Sequence, residues 1–257
     1  MIQVRHLSFT YQGMKTPVFH NLEFEVHPGQ IMTVLGPNGS GKTTLFQCLT
    51  GLWQPDCGEV LLDGASPRSM PRSEVAKRVA VVPQDHQPPF AYSVMDVVLT
   101  GRAAHIGLFS SPSRHDRLVA RQALATMGVE GLADRPYTQI SGGERQMVLI
   151  ARCLAQEAST ILLDEPTSHL DFRNQVVVLS SIRTLVGDKR LTVIMNLHDP
   201  NLALLFSDQV LLLSGRGTAA QGPPREVITK ENLQAVYGLQ VEFLSGNGLE
   251  MVCPKLG

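Results

Sequence analysis

The chain has 257 residues, of which 43% are hydrophobic and 18% charged, and its formal net charge is -1. That balance excludes a disordered chain and offers no basic surface for nucleic acid or an anionic membrane. The length suits one compact unit with a lobe inserted into it better than two ordinary domains. Residues 2–9 and 19–26 alternate apolar and polar positions, which predicts an antiparallel sheet with one wet face. Residues 31–35, 79–82, 161–163 and 210–213 are continuous apolar runs, and 193–197 is similar with Asn196 interrupting it. Runs without alternation suit parallel strands buried on both faces, so the expected class is α/β.

The middle of the chain reads differently. From Ser93 to about Gln156 the pattern predicts helices and loops without a strand. Ser93 with Asp96, and Ser113 with Asp116, have the S-x-x-D spacing of a helix start. Val119, Ala120, Ala123, Leu124 and Met127 then form one helical stripe that stops at Gly128. Beyond Gly215 comes a tail holding Gly222-Pro223-Pro224 and a short helix over residues 230–237, closed by Gly238.

Cys48, Cys57, Cys153 and Cys253 have neither CxxC nor zinc spacing, so they read as reduced thiols. No apolar run reaches the length of a membrane span, and no signal-peptide pattern opens the sequence. If the protein works at a membrane, another chain must hold it there.

Three motifs carry chemistry. Gly36-Pro37-Asn38-Gly39-Ser40-Gly41-Lys42-Thr43 matches GxxxxGK[ST], between an apolar strand and a helix containing Thr44, Leu45 and Leu49. Its glycines let backbone N–H groups turn toward phosphate oxygens at the positive end of a helix. Lys42 supplies a charge for the β- and γ-phosphates, and the Thr43 hydroxyl suits Mg²⁺. Downstream, an apolar strand ends in Asp164-Glu165. Beside a phosphate loop, Asp164 is expected in the Mg²⁺ shell and Glu165 next to an attacking water, as a general base. Third, Ser141-Gly142-Gly143-Glu144 precedes a helix whose apolar positions are Met147, Ile150, Ala151 and Leu154. Ser141 and Glu144 have capping-box spacing, and the Gly-Gly step exposes N–H donors to an anion.

With these three in place the chain resembles an ABC ATPase from end to end. Residues 140–144 resemble the family signature LSGGQ, with Ile140 for Leu and Glu144 for Gln. The resemblance implies a P-loop NTPase fold with a RecA-like core, an N-terminal antiparallel β-subdomain and an inserted α-helical subdomain. It implies a nucleotide-binding core over residues 1–90 and 157–220, a helical subdomain over 91–156 and a C-terminal tail over 221–257. Tyr11 matches the aromatic that stacks on adenine. Gln84 matches the glutamine that touches Mg²⁺ and water, Asp171 the loop that crosses the dimer interface, and His198 the histidine that senses the γ-phosphate. ATP and Mg²⁺ are the implied ligands, and a second copy of the chain completes each site.

Softer likenesses narrow the class. Leu99-Thr100-Gly101-Arg102 with His105 and Phe109-Ser110, then Ser168-His169-Leu170-Asp171, and the tail over 222–241, resemble importers of metal chelates. Those take ferric siderophores, haem or cobalamin, with molybdate in a related branch. Such a subunit would sit on the cytoplasmic face of the inner membrane through permease subunits, with a substrate-binding protein as an indirect partner. Residues 86–95 would line the cleft that receives the permease. An ABC exporter subunit or a soluble, non-transport ABC ATPase are the alternatives. The absence of coiled-coil heptads between Lys42 and Ser141 speaks against the soluble kind.

Overall fold

The computed structural model describes residues 1–84, 92–107, 110–215, 217–246 and 248–255. In chain order the strands are β1 (Ile2–Phe9), β2 (Phe19–Val26), β3 (Ile31–Leu35), β4 (Cys57–Leu62), β5 (Val79–Val82), β6 (Thr160–Leu163), β7 (Thr192–Asn196), β8 (Gln209–Leu213), β9 (Thr218–Gly222), β10 (Val241–Gly246) and β11 (Leu249–Pro254). The helices are α1 (Lys42–Leu49), α2 (Arg72–Ala76), α3 (Val94–Leu99), α4 (Arg114–Thr126), α5 (Gly142–Ala155), α6 (Phe172–Lys189), α7 (Pro200–Phe206), α8 (Pro224–Val227) and α9 (Lys230–Tyr237). They fall into two compact units, residues 1–69 with 192–257, and residues 70–191.

In the first unit β1 pairs antiparallel with β2 on one side and β4 on the other. The alternating pattern of β2 turns Phe19, Leu22, Phe24 and Val26 inward. β4 went unpredicted because its first half, Cys57-Gly58-Glu59, is exposed and only Val60 and Leu62 are buried. The same unit holds β3 between β7 and β8, all parallel, with β9 antiparallel beside β8. Every residue of β3 and β7 is buried, as continuous apolar runs require. Burying Ile31, Val34 or Leu35 contributes about 2 kcal/mol each. β10 and β11 form a hairpin in the tail, whose exposed Leu244, Leu249 and Met251 gave no strand signal.

In the second unit β5 and β6 are parallel, and the rest of its regular structure is helical. Ser93, Ser113 and Ser141 each accept from the backbone of the third residue on and close a full capping box. On α4 the predicted stripe buries Ala120, Ala123, Leu124 and Met127. α5 differs from its predicted stripe. Val148, Leu149 and Cys153 are buried with Ile150 and Ala151, while Met147 and Leu154 are only half-buried. The reason is that α5 packs against α3, α4, α6 and β5 at once, so no single face suffices.

The stretch around Gly101-Arg102 locks this unit internally. Arg102 is 3% exposed. Its guanidinium donates to Asp116 Oδ1 at 3.0 Å, to Ala155 O at 2.7 Å and to Glu157 Oε2. A side chain at 101 would meet Arg152 O at 2.2 Å, so only glycine lets this turn approach α5. His105 Nε2 pairs with Gln156 O at 2.9 Å. Phe109 lies outside the described residues.

Candidate functional site

In the first unit the loop from Gly36 to Gly41 joins β3 to α1. Gly41 is the N-cap of α1 at φ 99°, and a Cβ there would meet Val18 Cγ1 at 2.5 Å. Both facts demand glycine. No side-chain cap closes the first turn, which leaves backbone N–H groups directed into the loop. Lys42 is buried and donates through Nζ to Gly36 O at 2.7 Å and Pro37 O at 3.1 Å. This places an ammonium inside a ring of main-chain groups, the arrangement that receives a polyphosphate. Ser40 is 2% exposed, and among the described residues its hydroxyl meets no hydrogen-bond partner.

Tyr11 reaches the same helix. Its hydroxyl pairs with Thr44 Oγ1 at 2.7 Å, and its ring meets Phe9 and Trp53 edge-on. Trp53, stacked on Phe9 at 5.5 Å, completes an aromatic platform that sequence reasoning missed. Its signal was weak, since Trp53 lies beyond the helix in a turn. His198 is exposed just after β7, ahead of α7.

In the second unit Glu165 follows β6 at φ 51°, an unusual left-handed backbone for a non-glycine residue. Gln84 Nε2 and the Ser168 hydroxyl each donate to Glu165 Oε2 at 2.8 Å. The carboxylate is therefore oriented by two donors, one of which, Ser168, the sequence had suggested only as a class marker. Asp164 hangs from β5, its N–H donating to Val82 O at 2.9 Å.

At the start of α5, Glu144 Oε2 accepts from both Ser141 N and the Ser141 hydroxyl at 2.7 Å. The Ser141 N–H, then its hydroxyl, hold the Glu144 carboxyl below its ordinary pKa. Gly143 is buried, and a Cβ on it would meet Asn174 Cγ at 2.8 Å. Asn174 is pinned in turn by Asp171, which accepts from its N–H at 2.8 Å and its Nδ2 at 3.0 Å. The capping box, the Gly-Gly step and Asp171 thus form one connected group. Asn174 was not foreseen, because an Asn three residues into a helix carries no local signal. Phe172, 80% exposed beside Asp171, was also missed.

Of the residues expected at the cleft for a membrane partner, 86–91 lie outside the described residues, and Tyr92 to Met95 lead into α3. Among the described residues no helix is long and apolar enough to cross a membrane.

A phosphate loop, an Asp-Glu strand end and a Ser-Gly-Gly helix start in one α/β chain define a nucleotide-binding cassette. The family model "ABC transporter" matches residues 19–168, and the chain belongs to that family as an ATP-hydrolysing cassette. It is 41% identical to the molybdate import ATP-binding protein MolC of Haemophilus influenzae, over 93% of this chain and 88% of that one. It is 42% identical to the hemin import ATP-binding protein HmuV of Pseudomonas entomophila, over 87% of this chain and 88% of that one. Among solved structures, a metal-chelate type ABC transporter in an inward-facing conformation is 37% identical, with a TM-score of 0.88 over 99% of this chain and 97% of that one.

Proposed function

We propose that this chain powers import of a metal chelate (ferric siderophore, haem or cobalamin) or of molybdate, as a homodimer beneath integral membrane permease subunits. A substrate-binding protein would deliver the cargo, and the chain would sit on the cytoplasmic face of the inner membrane. The carrying observation is the phosphate loop itself, where Lys42 is held on main-chain carbonyls at the open end of α1. Relatives named for molybdate and hemin import support the cargo class.

Residues 36–44 take the triphosphate, with Lys42 neutralising its β- and γ-oxygens. Tyr11 offers its exposed face to adenine from the Phe9–Trp53 platform. Ser141, Gly142, Gly143 and Glu144 of a second copy, with its Asp171, close over the γ-phosphate. Glu165 accepts the proton of the attacking water, Gln84 and Ser168 aim its carboxylate, and His198 senses the γ-phosphate. ATP favours the closed dimer because its phosphates satisfy donors from both chains, and hydrolysis removes that preference.

Thr43, Gln84 and Asp164 would hold Mg²⁺. They fit a hard cation, since their hydroxyl, amide and carboxylate oxygens are the donors it prefers. Gln84 bonds to Glu165 through its nitrogen, which leaves its carbonyl oxygen for a cation. Bound Mg²⁺ neutralises charge on the phosphates.

For the permease, the second unit offers a groove of about 880 Å³ whose lining includes Arg72, Asp96, Leu99, Thr100, Ala103 and Ile106, although none of the described residues 92–95 of the expected cleft lines it. Its mixed apolar and charged walls suit a short amphipathic helix. The test is co-purification from native membranes in mild detergent. A polytopic membrane protein at equal stoichiometry, with turnover stimulated by one of the named cargoes on its binding protein, is the expected result. A chain that stays soluble with no membrane partner overturns the importer reading.

A further inference from the structure

The C-terminal tail touches the first unit's catalytic elements in a way the nucleotide chemistry leaves unused. Asn201 lies three residues beyond His198, at the start of α7. Its N–H donates to Asp199 Oδ1 at 2.8 Å. Its side-chain amide clasps the backbone of Val252 in β11, accepting from Val252 N at 2.7 Å and donating to Val252 O at 3.2 Å. The amide thus imitates one residue of a neighbouring strand and satisfies the free edge of the β10–β11 hairpin.

An open pocket of about 330 Å³ lies beside α7 and the tail, lined by His198, Pro200, Leu233, Tyr237, Leu239 and Val252 among others.

We propose that the tail is a positioning element of the ATPase centre, with Asn201 fixing the loop that carries His198 through its clasp on Val252. Asn201 is a positioning residue, since it acts through His198. The inference rests on the proposed role of His198.

The experiment compares ATP turnover, KM for ATP and thermal midpoint of the full-length chain with four variants. Asn201→Leu keeps the volume and loses both clasp hydrogen bonds. It is expected to lower kcat about ten-fold with KM within about two-fold, the split that marks a lost transition-state interaction. Leu233→Ala, in the same pocket wall, removes packing without touching the clasp. It is expected to lower the thermal midpoint and leave kcat within about two-fold at a temperature where it stays folded. Asn201→Asp keeps the acceptor for Val252 N and loses the donor to Val252 O; it is expected to lower kcat about three-fold with KM within about two-fold, and decides the matter if Asn201→Leu does not fold. Wild-type kinetics in a folded Asn201→Leu, or in Asn201→Asp where the former does not fold, overturn the proposal. So does a kcat that merely follows the thermal midpoint across Asn201→Leu and Leu233→Ala. His198→Ala separates the two levels. Normal turnover in that variant sinks the histidine assignment, whereas an inactive His198→Ala beside a fully active Asn201→Leu sinks only the inference about the tail.

Discussion

Gln84 donates its side-chain amide to Glu165 Oε2 at 2.8 Å, although 81 positions separate the two residues. The Ser168 hydroxyl shares that oxygen, and Glu165 itself sits in the left-handed backbone region. A carboxylate held this way has one oxygen committed to orientation. Glu165→Gln removes the base and keeps the shape. Turnover is expected to fall about 10²- to 10³-fold, and ATP is expected to drive a dimer that persists through gel filtration. Normal turnover refutes the general-base assignment.

Gly143 and Asn174 are a second such pair. Gly143→Ala drives a methyl group to within 2.8 Å of Asn174 Cγ, whose amide Asp171 holds in place. Overpacking of this kind costs about 1–3 kcal/mol. Adding Asn174→Ala is expected to restore the thermal midpoint, because it removes the obstruction. Additive losses in the double variant would show that the two residues do not communicate.

Glu144 places a carboxylate where the family signature has an amide. It already caps α5 through two bonds to Ser141. Glu144→Gln keeps a capping acceptor and removes a negative charge near an incoming phosphate. An exposed charge is worth about 0.5–1 kcal/mol, so the ATP concentration needed for dimerisation is expected to fall about three-fold. An unchanged or higher requirement, read by light scattering, contradicts this.

Asp116 governs acid stability in the second unit. The Ser113 hydroxyl, then the Ser113 N–H, then Arg102 hold its carboxyl well below the usual range. A depressed folded pKa stabilises fully above the unfolded value of about 3.9 and is lost as pH falls toward the folded one. Asp116→Asn is therefore expected to melt below the parent at pH 7, with the gap narrowing under pH 4. A gap independent of pH in thermal melts would rule out this linkage.

Local chemistry was the legible part of both fold and candidate site. Ser93, Ser113 and Ser141 announce helix starts because the acceptor and donor lie three residues apart. Helix α9 ends where Gly238 takes φ 69°, as its glycine suggests. β4 and the tail hairpin were illegible because half of each is exposed, so hydrophobic pattern does not mark them. The stripe on α5 misled because a helix surrounded on several sides has no single buried face.

By itself the sequence determined the family, because the phosphate loop, the Asp-Glu strand end and the Ser-Gly-Gly helix start are each contiguous and carry their chemistry in neighbouring residues. Only the tertiary structure decided which groups aim them. Gln84 on Glu165, Asn174 against Gly143, Arg102 on Asp116 and Glu157, and Asn201 on Val252 are contacts between residues 14 to 81 positions apart, or between side chains on different helices. Such contacts exist only after the backbone has brought distant segments together, so no local pattern of residues could announce them.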